Sequence, residues 1–288
     1  MKLNARFLNV GNGDCTIIRL PNDTTTVVDV RNARSNRREA APGFENPIRH
    51  LEALRESSID RYIQTHPEMD HLDGFSDVVD HFTITNFWDT ANNRPKPTDF
   101  SHGFRESDWD AYQNLRRNGS PLFHTRNTQG VSLKNGNPRP YDIFALSPSE
   151  ELVADANKSG EWNTLSYVIL LRFGPFKLLL GGDASDIAWQ DLYEWTEKDI
   201  DARKVMKGIT VFKASHHGRN SSYCGAEMLD LMNPQQIVIS KGSVPGEQSA
   251  YGNYYNWAGG SDRMFLTSQG TVAVDYDSDT NRYTIGRL

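Results

Sequence analysis

The stretch Thr65-His66-Pro67-Glu68-Met69-Asp70-His71-Leu72-Asp73-Gly74 constrains this chain more than any other. Four side chains able to hold a metal, His66, Glu68, Asp70 and His71, fall within six consecutive residues. Ile59, Tyr62 and Ile63 just before it predict a short strand, and Leu72 to His81 predicts a helix. The ligand-type residues therefore sit on a turn leaving the C-terminal end of a strand, where α/β folds collect ligands. Imidazole mixed with carboxylate suits zinc, manganese or iron better than calcium. A polar surface loop with two chance histidines would read the same way, so the stretch does not decide alone.

Two further strand ends add weight. Leu178-Leu179-Leu180-Gly181-Gly182-Asp183 is an apolar run closing on an aspartate, and Val211-Phe212-Lys213-Ala214-Ser215-His216-His217-Gly218 is one closing on two histidines. Three such ends in this order resemble the metallo-β-lactamase fold. Its pattern is His-x-[His/Asp]-x-Asp-His, then an Asp, then a His. More narrowly, Phe7-Leu8-Asn9-Val10-Gly11-Asn12-Gly13-Asp14-Cys15 is similar to the opening of the hydrolase domain of ComEC-type competence DNA-uptake channels. Asn163-Thr164-Leu165-Ser166, the Gly-Gly-Asp end and Lys-x-x-His-His-Gly also look like that subfamily.

The resemblance implies an α/β fold, a four-layer αβ/βα sandwich filling 1–288 as a single domain, with an insertion at about 90–140 lying over the active site. It implies two divalent ions, zinc or manganese. His66, Glu68 and His216 would form one site, and Asp70, His71 and Asp183 would form or bridge to the other. Asp70 would also orient the attacking water and accept its proton. Asp29, closing the strand from Thr24 to Val30, takes a supporting role behind the ligands; capping of local backbone amides is the alternative. Lys213 faces a scissile phosphate or makes a structural ion pair. His217 is a catalytic acid, a substrate contact or a ligand, with His216 preferred as ligand. Asn163 and Ser166 are expected to contact substrate or to cap strand ends. Glu68 departs from the family's histidine or aspartate, so either manganese is favoured or one site is weak. The histidine of a family Gly-His-Pro is missing near Gly252-Asn253-Tyr254.

Composition narrows the partners. Net charge is −6, with 31 Lys+Arg against 37 Asp+Glu; a generic nucleic-acid binder is basic. Local stretches run the other way. Arg31 to Arg38 is the most basic segment, read as a phosphate-contacting or a solvated loop. The insertion sets Arg94, Lys96, Arg105, Arg116, Arg117 and Arg126 among aromatic residues, a mixture that suits single-stranded nucleic acid or an inert anchored flap. The expected function is that of a metal-dependent hydrolase, a phosphodiesterase or nuclease acting on single-stranded nucleic acid or a nucleotide-derived substrate; the alternatives are a hydrolase of a small cyclic ester or lactone and a metal-binding scaffold without turnover. The two cysteines, Cys15 and Cys224, have no metal-site spacing and read as buried thiols in a reducing compartment. No secretion leader and no membrane-spanning run is visible, and a cytoplasmic location is expected.

The remaining elements follow from pattern. Pro47 to Glu56 reads as an amphipathic helix, Met206 to Lys213 as a strand, and Gly246 to Gly260 as a loop. Met264 to Thr267 and Thr271 to Tyr276 read as two strands closing the sheet.

Overall fold

The computed structural model describes residues 1–34, 43–100, 103–126, 140–241 and 249–288, with the backbone of three short strands between 129 and 138. The chain divides into two compact units. The first takes Met1–Phe123 and, from the far end of the sequence, Thr267–Leu288; the second takes His124–Ile239 and the segment ending at Leu266.

In chain order the first unit begins β1 (Lys2–Phe7), β2 (Thr16–Arg19), β3 (Thr25–Val28), α1 (Pro47–Ala53), β4 (Ser58–Ile63), α2 (Phe75–His81), β5 (Thr83–Asp89), α3 (Glu106–Asn118) and β6 (Leu122–Phe123). The second unit follows with β7 (Gln129–Gly130), β8 (Leu133–Lys134), β9 (Asn137–Pro138), β10 (Tyr141–Ser147), α4 (Glu150–Ser159), β11 (Val168–Phe173), β12 (Phe176–Leu180), α5 (Asp186–Lys198), α6 (Ile200–Met206), β13 (Val211–Lys213), α7 (Ala226–Met232), β14 (Gln236–Ile239), α8 (Tyr251–Ala258) and β15 (Met264–Leu266). The chain then returns to the first unit as β16 (Val272–Asp277) and β17 (Arg282–Arg287).

The fold class is α/β, as expected: two sheets flanked by helices. The first sheet runs β17-β16-β1-β2-β3-β4-β5-β6. Its strands are antiparallel as far as β3 and parallel from β3 to β6. The second runs β15-β14-β13-β12-β11-β10-β7 and is parallel across β12 to β15. Parallel strands need crossover helices, which cover the sheet faces. In the first unit Leu51 of α1, Phe75 and Val78 of α2, and Trp109 and Tyr112 of α3 form one core with Val27, Tyr62 and Phe87 of the strands. In the second, Trp189 and Leu192 of α5 and Met228 and Leu229 of α7 pack on Leu179, Phe212 and Ile237. Local signals set the helix ends. Asn46 accepts the Ile48 N–H with Pro47 at the first helical position, and Ser149 and Ser185 cap α4 and α5.

Several expectations are corrected here. Residues 251–258, expected as loop, form α8, because Tyr254 buries completely against Phe212. Residues 246–248 of that stretch lie outside the described residues. The expected strand from Met206 is only β13; Met206 ends helix α6 and is itself buried. The two last expected strands do not close one sheet. β15 pairs with β14 in the second unit, whereas β16 pairs with β1 in the first. The stretch read as an insertion contributes α3 to the first unit's core, with Trp109 at 1% exposure and Tyr112 edge-on to Phe75 at 6.4 Å. Its residues 127–128, 131–132, 135–136 and 139 lie outside the description, as do Arg37 and Arg38 of the basic segment.

Candidate metal centre

In the first unit β3 and β4 are parallel neighbours, so Asp29 and the turn after Ile63 leave the sheet side by side. Asp29 is 1% exposed and receives three donors. Its Oδ1 accepts the Thr65 N–H at 2.8 Å, and its Oδ2 accepts the Thr65 hydroxyl at 2.6 Å and His71 Nδ1 at 2.7 Å. Thr65 Oγ1 has a single proton and gives it to Asp29, so the 3.0 Å contact with His66 is donated by His66 Nδ1. Both imidazoles thereby carry their proton on Nδ1, which makes Nε2 the electron-pair donor atom of each ring. The two rings lie 4.3 Å apart, centroid to centroid. Burial pushes the Asp29 carboxyl above the usual range, and the bonds from His71 and Thr65 pull it back. Asp14, Asp29 and His71, all buried, each place one possible ligand atom within 4.8 Å of the others.

Asp70 is half-buried on the 3₁₀ turn Met69–His71. Gly13 explains the glycine-rich opening of the chain: a Cβ there would meet the Asp70 carbonyl at 2.3 Å, so only glycine lets this loop approach the ligand turn. Glu68, expected as a ligand, is ion-paired with Arg94 at 2.6 Å, and Arg94 also holds the Pro67 carbonyl. Arg34 of the basic segment donates from Nε and Nη2 to the one oxygen Asp73 Oδ1 rather than turning to solvent.

In the second unit β12 and β13 are likewise parallel neighbours, ending on Asp183 and on His216-His217. Asp183 is 1% exposed, and its N–H is held by Ser166 Oγ at 3.0 Å. Ser166, at 0% exposure, thus fixes the aspartate's turn rather than facing outward. His217 Nε2 lies 3.6 Å and His216 Nε2 3.8 Å from Asp183 Oδ2. The two rings differ in what else holds them. Arg219 Nη1 donates to His216 Nε2 at 2.9 Å, which puts the ring proton on Nδ1, 3.1 Å from Ser222 Oγ. Both nitrogens of His216 are therefore engaged within the unit. His217 is buried, and both histidines have positive φ, 47° and 56°, a strain that collects at functional sites. Lys213 is buried, and Nζ donates to the Ala214 carbonyl at 3.4 Å. Asn163 is half-buried at the turn before β11, and its Oδ1 is buried with no hydrogen-bond partner among the described residues.

Imidazole nitrogens with oriented tautomers, carboxylates beside them and a carboxylate behind one of them form a donor set that fits a divalent transition metal. Sequence reasoning gave Thr65, Arg94 and Arg219 no role in holding the ligand-type residues. Thr65 adjoins the ligand turn and could have been read as its support; the two arginines act through partners that no spacing rule connects. Neither thiol is poised to react: burial raises Cys15 well above its ordinary range and Cys224 to about 12.

No family model matches the sequence, and no curated protein does. Among solved structures the chain is similar to CmlA, a diiron beta-hydroxylase from Streptomyces venezuelae, with 13% identity over 86% of this chain and a TM-score of 0.47. A mutant of the CmlA beta-hydroxylase gives 14% over 81%, with the same score. A protein of unknown function from Enterococcus faecalis gives 10% over 74% and a TM-score of 0.38. The chain covers 45%, 45% and 49% of these proteins, under half the length of each.

Proposed function

We propose that this chain is a metal-dependent hydrolase that cleaves a phosphodiester of nucleotide size. In this reading His66, Asp70 and His71 are metal ligands supplied by the first unit, and Asp183 and His217 are metal ligands supplied by the second. The observation that carries it is the buried run His71–Asp29–Thr65–His66, which aims two imidazole Nε2 atoms away from their own support. A carboxylate behind a histidine is the usual companion of a metal ligand, because it sets the tautomer and raises the ring's basicity. Bound zinc, manganese or iron would supply a water that ionises near neutral pH and a Lewis acid for the scissile oxygens.

The chain's own residues do the rest. Asp70 orients the attacking water and takes its proton at a carboxylate oxygen. Ser166 holds the Asp183 turn, and Asn163 offers its amide to the substrate. His217 takes the ligand place first expected of His216, which is supported by the engagement of both His216 nitrogens. The loss of Glu68 to Arg94 agrees with one weak metal site. The narrower likeness to ComEC-type domains rests on the motif residues alone.

A second reading, hydrolysis of a small cyclic ester or lactone, is favoured by one observation. Most of the cations expected to grip a nucleic acid are paired with carboxylates of the chain: Lys96 with Glu106 and Asp110, Arg105 with Asp77 and Asp108, Arg116 with Asp89, Arg126 with Asp191.

The test strips the protein with a chelator and reloads it with manganese, zinc or ferrous iron. It is then assayed on bis-nitrophenyl phosphate, a cyclic nucleotide and a lactone. We expect phosphodiester turnover that falls about 100-fold or more in Asp70→Ala with an unchanged circular dichroism spectrum. Turnover of the lactone alone selects the second reading. No turnover with any metal, or full activity in Asp70→Ala, overturns the hydrolase reading.

A further inference from the structure

Away from the ligand turns, the second unit carries a cavity of about 350 Å³ between α5 and the segment 223–228. That is the low end of volumes that hold small ligands. Three aromatic rings line it, Trp189 and Tyr193 from α5 and Tyr223 from the opposite wall, with the carboxylates of Asp186 and Glu227. No lysine or arginine is among its lining residues. We propose that this cavity binds a small organic ammonium ion.

The chemistry of the walls selects that class. Aromatic faces carry negative quadrupole potential and attract cations that shed water easily, which favours alkylammonium over a hydrated inorganic ion. The two carboxylates add net negative charge, disfavouring an anion, and an uncharged apolar ligand would desolvate them with no return. The rings are held before any ligand arrives. Trp189 donates its Nε1–H to Ser215 Oγ at 3.0 Å and stands edge-on to Phe212 at 5.7 Å. Tyr223 packs edge-on against Tyr254 at 5.1 Å. A preformed wall lowers the ordering cost of binding. The Tyr223 phenol reports the same field: burial first, then Cys224, Glu227 and Asp230, raise it to about 12.

The cavity shares no residue with the proposed metal ligands, so it stands or falls separately from the hydrolase reading. The experiment is a binding titration on the metal-free protein, followed by the indole N–H resonances of the tryptophans. Choline is the probe, and dimethylbutanol, its uncharged carbon isostere, is the control. A peptide bearing trimethyllysine forms a third arm, which distinguishes a free amine from a basic side chain as the source of the ammonium group. We expect saturable binding of choline, at least about tenfold weaker binding of the isostere, and a loss of about tenfold in Tyr193→Leu and in Glu227→Gln. Both positions are at least partly exposed, and circular dichroism verifies that each variant folds. The proposal fails if no cationic probe gives a saturable shift up to roughly 10 mM. It also fails if the isostere binds equally, or if both variants bind as tightly as the parent.

Discussion

Asp29 sits at φ 55° with its side chain wholly occupied by Thr65 and His71. Left-handed backbone costs an aspartate about 1 kcal/mol, and that cost persists only where the surroundings insist on it. Here they insist because the carboxylate has to reach two residues of the next strand's turn at once. Replacing Asp29 by Asn keeps the shape but removes the charge that holds His71 in one tautomer. Metal affinity, measured by competition with a chromophoric chelator, is expected to weaken about 10- to 100-fold. An unchanged affinity would mean that His71 does not depend on Asp29. At this scale the sequence was legible where chemistry is local. His66, His71 and Asp183 stand out by letter and by their place after an apolar run, and the fold buries all three. Whether Glu68 or His216 is free to act was not legible, because Arg94 and Arg219 reach them by folding rather than by periodicity.

Strands ending on chemistry were the easiest elements to read, because β-branched and apolar runs closed by Gly or Asp leave few alternatives. Helix α8 was hidden by Gly252 and Asn253, which weaken its propensity, while the burial of Tyr254 overrides them. Helix α3 is tied to the end of β5. Tyr112 donates to Asp89, whose carboxylate also pairs with Arg116 at 2.5 Å. Burial pushes the Asp89 carboxyl up to about 7 against the pull of Arg116. Unfolded, an aspartate titrates near 4. Between roughly pH 4 and 7 the folded chain therefore keeps a proton that the unfolded chain has lost. Stability then declines as pH rises through that window, by at most about 1.4 kcal/mol per pH unit. Urea denaturation of Asp89→Asn is expected to show a flatter pH profile there than the parent. An identical slope would mean that Asp89 is ionised in the fold throughout.

For the whole molecule, net charge and charge placement point the same way. The acidic total of −6 is legible in the composition, but the pairing of Arg34, Arg105, Arg116 and Arg126 with carboxylates is not, since ion pairing needs the tertiary arrangement. Single-stranded DNA should accordingly bind weakly. Fluorescence anisotropy with a labelled oligonucleotide at about 0.15 M salt is expected to give a dissociation constant weaker than about 100 μM, with a shallow salt dependence. Micromolar binding with a steep salt slope would restore a long nucleic-acid strand as substrate.

The interleaving of the sheets with chain order carries a consequence for biosynthesis. β1 is synthesised before every strand of the second sheet, yet one of its two neighbours, β16, is made only after them. Until then the flank of Lys2–Phe7 offers bare amides and carbonyls to any passing strand. The nascent chain is thus open to mispairing while the second sheet is being made, and a message cut short before Val272 would yield a product with that flank still open.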